Sequence, residues 1–296
     1  MQIINTVIAL RERLALEANI AFVPTMGNLH AGHINLIKFA KQQDAINQKV
    51  CVVVSIFVNP LQFGANEDLS AYPRTLQADC AKLKEAGVNI VFIPEISELY
   101  PDFDTETSNL GQSMMIVPPP IADELCGTTR PGNFSGVATV VLKLFNIVKP
   151  TTAIFGKKDF QQLFIIRELV RQFNLSISII AADTVRKPDG LAMSSRNSYL
   201  TITQRKEASE LQKTLARVVT DLQTSRISFI EAEQAAIKHL STRGWAVDYI
   251  SIRIASTLLA AKRDDKAAIE NLVILGAARL GKTRLIDNIE FKLASS

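Results

Sequence analysis

Only three cysteines, Cys51, Cys80 and Cys126, stand in a chain of 296 residues. Their odd number and wide spacing exclude a disulfide framework and a Cys-x-x-Cys redox or metal pair, so a reduced intracellular protein is expected. No uninterrupted apolar run approaches the roughly 20 residues needed to cross a bilayer, which leaves no membrane partner. The N-terminal segment has charges at Arg11, Glu12 and Arg13 and no basic start ahead of an apolar core. A secretory signal is therefore not expected, and the cytoplasm is the expected location. Neither sign of charge dominates: 33 Lys and Arg face 29 Asp and Glu, a net charge of +4. With no basic run, that balance argues against nucleic acid and suits a small anionic substrate. Histidine is also scarce. His30 and His33 stand together, but His239, on a distant helix, is poorly placed to complete a zinc site. No internal repeat or low-complexity tract occurs.

What is present is ordinary globular composition, 47% apolar and 21% charged, in a length that accommodates a nucleotide-binding core and a smaller second domain. From residue 20 to about 183, short apolar runs alternate with helical patterns, as in βαβ units. Strands are expected at Ile20 to Val23, Val50 to Val58, Asn89 to Ile93, Ala153 to Phe155 and Ile177 to Ala181. The second of these is almost wholly apolar and β-branched and reads as a strand buried on both faces. Val137, Val140, Val141, Leu144, Phe145 and Val148 recur at helical spacing, as do Leu163, Ile166, Leu169, Val170 and Phe173. The fold class is thus α/β, a Rossmann-like parallel sheet over residues 1–183. Beyond it, residues 184–296 predict a smaller α+β domain. A long helical pattern runs through Ala208, Leu211, Leu215, Val218 and Leu222, and a second helix starts at Ser228 with Glu231 completing a capping box. Strand-like runs follow at Val247 to Ile254, Leu272 to Ala278 and Arg284 to Ile289.

The richest stretch runs from Phe22 to His33, an apolar strand passing through a glycine-containing turn into a helix that begins His30-Ala31-Gly32-His33. Gly27 and Gly32 allow close backbone approach, and the unpaired N–H groups of a new helix point at an anion. Two imidazoles three residues apart share one face of the first turn and can donate to a phosphoryl oxygen as charge builds. Gly156-Lys157-Lys158-Asp159 repeats the strand-turn-helix arrangement, with lysines able to reach a phosphate. Ser194-Ser195-Arg196 adds two hydroxyls and a cationic fork. Gly276 to Thr283 matches the G-x-x-x-x-G-K-[ST] pattern letter for letter, but a strand-like run follows where a helix is required, so a hairpin turn at Leu280-Gly281-Lys282 is expected. Cys126 has no histidine nearby in sequence, and Cys51 reads as core.

Taken in order, Pro24 to His33, Val54 to Phe63, Tyr72-Pro73-Arg74-Thr75, Arg130-Pro131-Gly132, Gly156 to Leu163, Met193 to Asn197 and Arg279 to Asn288 resemble the pantothenate synthetases, the pantoate–β-alanine ligase family, nearly end to end. The resemblance implies the HxGH nucleotidylyltransferase superfamily, a C-terminal lid, a homodimer, Mg-ATP, and pantoate and β-alanine as the other substrates. It places Met26, Gly27, Asn28, Leu29, His30, Ala31, Gly32 and His33 against ATP, with His33 as proton donor and His30 beside it on the phosphates. The family's lysine falls on Lys158. Gly156, Lys157 and Asp159 complete that turn, Val185 meets the adenine through its backbone, and Met193, Ser194, Ser195 and Arg196 close over the nucleotide. Gln62 and Gln162 match the glutamines that hold pantoate, and Gln62 also borders the β-alanine site.

Two departures stand out. Where relatives usually read Glu-Gly-x-x-Arg-Pro-Gly-His-Phe, this chain has Cys126-Gly127-Thr128-Thr129-Arg130-Pro131-Gly132-Asn133-Phe134, and there is extra length around Asn47-Gln48-Lys49. The implied reaction is carboxylate adenylation: pantoate attacks the α-phosphate of ATP, pyrophosphate leaves, and the amine of β-alanine displaces AMP. Anion attacks anion, so the protein's task is alignment and neutralisation. The alternative is an HxGH nucleotidyltransferase acting on another small carboxylate or phosphate. Ligands for Mg²⁺ are not defined by the sequence; Asp79 and Asp159 are candidates.

Overall fold

A computed structural model describes residues 1–43, 49–63, 69, 73, 75–224, 227–261 and 271–293. Asn47, Gln48, Tyr72 and Arg74, singled out above, lie outside the described residues. In chain order the elements are β1 (Gln2–Ile4), α1 (Val7–Leu14), β2 (Ile20–Thr25), α2 (Ala31–Gln42), β3 (Cys51–Ile56), α3 (Leu76–Glu85), β4 (Ile90–Phe92), α4 (Ile96–Leu99), α5 (Cys126–Thr129), α6 (Asn133–Val148), β5 (Thr152–Gly156), α7 (Phe160–Gln172), β6 (Ser178–Ala182), α8 (Ile202–Glu207), α9 (Glu210–Thr224), α10 (Phe229–Thr242), β7 (Ala246–Ile254), β8 (Leu272–Leu280) and β9 (Thr283–Phe291). The chain divides into two compact units. The first comprises Met1–Ala122, Arg130–Lys157 and Ile165–Asp183; the second comprises Asp123–Thr129, Lys158–Phe164 and Thr184–Ser296.

In the first unit six strands form one sheet in the order β1-β4-β3-β2-β5-β6, every pair parallel. The strands forecast from apolar runs are present with ends moved by one or two residues. The extra strand β1 pairs Gln2, Ile3 and Ile4 with Ile90, Val91 and Phe92 at the sheet edge. Every residue of β3 is buried, as its unbroken β-branched sequence requires of an interior strand. Chain order reverses between β2 and β5, which are hydrogen-bonded neighbours. In an open parallel sheet, ligands bind at the carboxyl ends of the strands flanking such a reversal. The turn after β2 carries Met26 to His30, and the turn after β5 begins at Lys157.

α6 is apolar almost all round, and most of its residues are buried. Its Gly136 lets the helix backbone press against the 3-10 turn Pro60–Gln62: a Cβ there would collide with the Leu61 carbonyl. That contact sets the height of Gln62.

The second unit has α9 and α10 packed on a three-stranded antiparallel sheet, β7-β8-β9. Leu211, Leu215, Val218, Leu240, Trp245, Ile274 and Phe291 belong to its core. The long helical pattern through Leu211, Leu215, Val218 and Leu222 is α9, which starts at Glu210, and the short helix α8, ending at its C-cap Ala208, precedes it. α10 is capped by Ser228 with Glu231, as forecast. The phosphate-loop look-alike is a β-hairpin: Leu280 pairs with Thr283, and Gly281 sits at φ +60° in the two-residue connection.

Candidate functional site

The turn after β2 owes its shape to two left-handed residues, Gly27 at φ +80° and Asn28 at φ +50°. A side chain at Gly27 would press on Ile56 and on the Asp79 carboxylate, so the loop lies tightly against α3. Asp79 is buried, and its oxygens accept the backbone N–H groups of Asn28 at 2.7 Å and Leu29 at 2.8 Å, together with the Thr75 hydroxyl at 3.0 Å. This corrects one expectation. Asp79 is a bracket for the loop, and a carboxylate turned inward onto backbone amides does not present itself to Mg²⁺.

His30 is the N-cap of α2, with Ala31 and Gly32 in its first turn. Its Nδ1 accepts from Gly32 N–H at 3.1 Å, and His33 Nδ1 accepts from His30 N–H at 3.2 Å. A backbone N–H only donates, so each Nδ1 is the unprotonated nitrogen, and each neutral ring carries its proton on Nε2. The ring centroids lie 4.1 Å apart. The sequence therefore builds a helix N-terminus bearing two neighbouring Nε2–H donors, an arrangement fitted to an oxyanion.

Gln62 belongs to the same unit. Its amide reaches Met26 Sδ at 2.6 Å, and its carbonyl accepts from Asn59 Nδ2 at 3.3 Å. Asn59 is buried, donates also to Gly136 O at 3.1 Å and accepts the Tyr100 hydroxyl. Burial pushes the Tyr100 phenol well above its ordinary range, so it remains a donor at any working pH. Arg130 Nη2 donates to Gln62 O at 3.3 Å. Asn59 escaped the sequence reading as a site residue because an Asn-Pro pair signals a turn as readily as a function.

After β5, Gly156 ends the strand and Lys157 pairs with Asp183 at 2.9 Å. In the second unit Lys158 Nζ lies 3.5 Å from Asp159 Oδ2, and its carbonyl accepts from Asn288 Nδ2 at 2.9 Å. Lys158, Ser194, Arg196, Asn197, Arg284 and Asp287 line one hollow, so the mid-chain lysine and the Ser-Ser-Arg loop do come together. Ser194 caps the 3-10 turn Ser195–Tyr199 by accepting from Arg196 N–H at 3.2 Å, which leaves the Arg196 side chain exposed. Val185 O accepts from Met193 N–H at 2.9 Å and ties the two ends of that loop together. Gln162 is half-buried near the start of α7, beside buried Gln161.

Arg284 was missed as a site residue. Its Nε donates to Asp248 at 2.7 Å and both Nη atoms lie 3.6 Å from Cys126 Sγ, which also meets Tyr249 Oη at 3.1 Å. Gln161 holds the Cys126 backbone, accepting its N–H at 3.1 Å and donating to Glu124 O at 2.9 Å. Asn133, the other departure, is a buried residue at the start of α6.

A family model described as Pantoate-beta-alanine ligase matches residues 2–290. The chain belongs to the pantoate-beta-alanine ligase family. It is 58% identical over 293 residues to the pantothenate synthetase of Methylobacillus flagellatus, with 99% of each chain covered. Among solved structures it is similar to the pantothenate synthetase of Thermus thermophilus, with a TM-score of 0.86, 38% identity and 98% and 99% of the two chains covered. The Francisella tularensis pantoate-beta-alanine ligase, described as complexed with β-γ ATP and β-alanine, matches with a TM-score of 0.77, 35% identity and coverage of 98% and 97%. Membership of the family makes the chain a ligase of the Rossmann-like α/β class. Among the described residues no helix is long and apolar enough to cross a membrane.

Proposed function

We propose that this chain condenses (R)-pantoate with β-alanine at the expense of ATP, giving pantothenate, AMP and diphosphate through a pantoyl adenylate. The observation that carries the site assignment is the pair of Nε2–H donors that His30 and His33 present at the N-terminus of α2. The family match and the β-alanine and ATP named for the Francisella relative support the substrates.

In this reading the Met26–His33 segment binds ATP, and Gln62 and Gln162 hold pantoate so that its carboxylate meets the α-phosphate. His33 donates from Nε2 to the phosphate oxygen as negative charge builds, and His30 steadies the neighbouring oxygens. Lys158 and Arg196 neutralise the departing pyrophosphate, Gly156, Lys157 and Asp159 complete the turn around it, and Ser194 and Ser195 add hydroxyl donors. Val185 and Met193 flank the base. The β-alanine amine then attacks the acyl carbon and AMP leaves. Residues 184–296 act as the lid that keeps water from the mixed anhydride.

Mg²⁺ would be needed beside the ATP phosphates. Among the described residues no three His, Cys, Asp or Glu side chains cluster. Asp159 is the carboxylate that would reach it, and when bound it supplies positive charge to the phosphate oxygens. On the same resemblance the protein works as a homodimer in the cytoplasm, with residues 1–183 as the ATP- and pantoate-binding domain.

Pyrophosphate release tests the reading. It should require pantoate, proceed without β-alanine, and give free AMP once β-alanine is added. A product that retains the AMP moiety would identify a nucleotidyltransferase instead.

A further inference from the structure

Helix α3 carries two side chains that close on the two peptide groups flanking Leu29. Asp79 and Lys82 stand three residues apart, on one face of the helix, and both reach the turn that precedes the histidines. Asp79 Oδ1 accepts the N–H of Leu29 at 2.8 Å, and Lys82 Nζ donates to the carbonyl of the same residue at 2.6 Å. That carbonyl belongs to the Leu29–His30 peptide, whose N–H is the group donating to His33 Nδ1 at 3.2 Å. A cationic donor on the oxygen of a peptide group polarises it and strengthens its N–H as a donor at the other end. The Nδ1 of His33 is thereby held as an acceptor, and its proton is held on Nε2.

We propose that Asp79 and Lys82 are positioning residues for adenylation, Asp79 holding the peptide ahead of Leu29 and Lys82 the Leu29–His30 peptide, so that His33 keeps its transferable proton on Nε2. The inference rests on the reading above that His33 is the donor. Neither residue touches substrate in this account; both act through the backbone and the imidazole. Asp79 supplies geometry, since its buried carboxylate fixes the left-handed Gly27-Asn28 turn. Lys82 supplies polarisation, with its side chain 45% exposed and its nitrogen 3.9 Å from Asp79 Oδ1.

Asp79→Asn sets an NH₂ group against a backbone N–H and endangers the fold, so the decisive variants are Lys82→Met, which keeps the aliphatic stem, and Lys82→Arg, which keeps the cation. The full chain contains three histidines, so ¹⁵N-histidine labelling, read where imidazoles are neutral, resolves each tautomer, and His33→Gln assigns its own signals. His33 in the parent protein should show a protonated Nε2 and a bare Nδ1. In Lys82→Met the ratio of the two tautomers should move by about tenfold toward Nδ1–H, and kcat for pantoate-dependent pyrophosphate release should fall by about tenfold with KM for ATP little changed. Lys82→Arg should recover both. A parent His33 protonated on Nδ1, or a Lys82→Met variant with unchanged tautomers or unchanged kcat, overturns the proposal. If the tautomer moves in Lys82→Met but His33→Ala releases pyrophosphate at the normal rate, the catalytic reading of His33 is what fails.

Discussion

The Nδ1 of His33 sits 3.2 Å from the backbone N–H of His30, so this imidazole completes the cap of α2, and the proposed mechanism uses the same ring as proton donor. His33→Ala removes both roles. Pantoate-dependent pyrophosphate release should fall by about a hundredfold or more, the usual weight of a positioned proton donor. Stability should fall by only about 1 kcal/mol, the ordinary cost of a lost cap. Single-turnover assays and urea unfolding of the same preparation separate the two.

Asn59 should reveal how Gln62 is aimed. Asn59→Ala leaves the Tyr100 hydroxyl and the Gly136 carbonyl without the partner they share. A buried polar group stranded this way costs about 1–3 kcal/mol. With Gln62 released, KM for pantoate should rise more than KM for ATP. Equal changes in both would show that Asn59 serves only the fold.

The Cys126 thiol lies between Arg284 and Tyr249. Cys126→Ala strips the Arg284 Nη atoms and the Tyr249 hydroxyl of a shared partner and should destabilise the protein by about 1–2 kcal/mol. Cys126→Ser, which retains an acceptor, should recover most of that loss in urea unfolding.

Glu207 gives the second unit an acid-sensitive joint. Arg243 and Trp245 hydrogen bonds hold its carboxyl below the ordinary value of 4.5. A depressed carboxylate contributes stability that is complete above the unfolded value and is lost as pH falls through the folded one. Glu207→Gln should thus be less stable than the parent at neutral pH, and the gap should close as pH drops below about 4.5. A gap that stays constant with pH would place the loss in packing.

Sequence periodicity revealed the fold where burial is periodic or continuous: β3 is read from its apolar run and α10 from Ser228 and Glu231 alone. It missed β1 because three residues carry no period, and it missed α8 because none of that helix's six residues is buried. The His-x-Gly-His turn was legible because strand, glycine and helix start are adjacent in the chain. Asp79 and Arg284 were not, since the bracket that Asp79 forms joins residues 50 apart and the contacts of Arg284 with Cys126 join residues 158 apart. Such partners are set by topology, and a helix surface shows them only as ordinary charges.

Whether the carboxylate of pantoate attacks the α-phosphate is decided by following its oxygen. With pantoate labelled by ¹⁸O in the carboxylate, adenylation followed by aminolysis should deposit one labelled oxygen in AMP for each pantothenate formed, and none in diphosphate. Label in inorganic phosphate with ADP as product, or AMP free of label, would contradict the account.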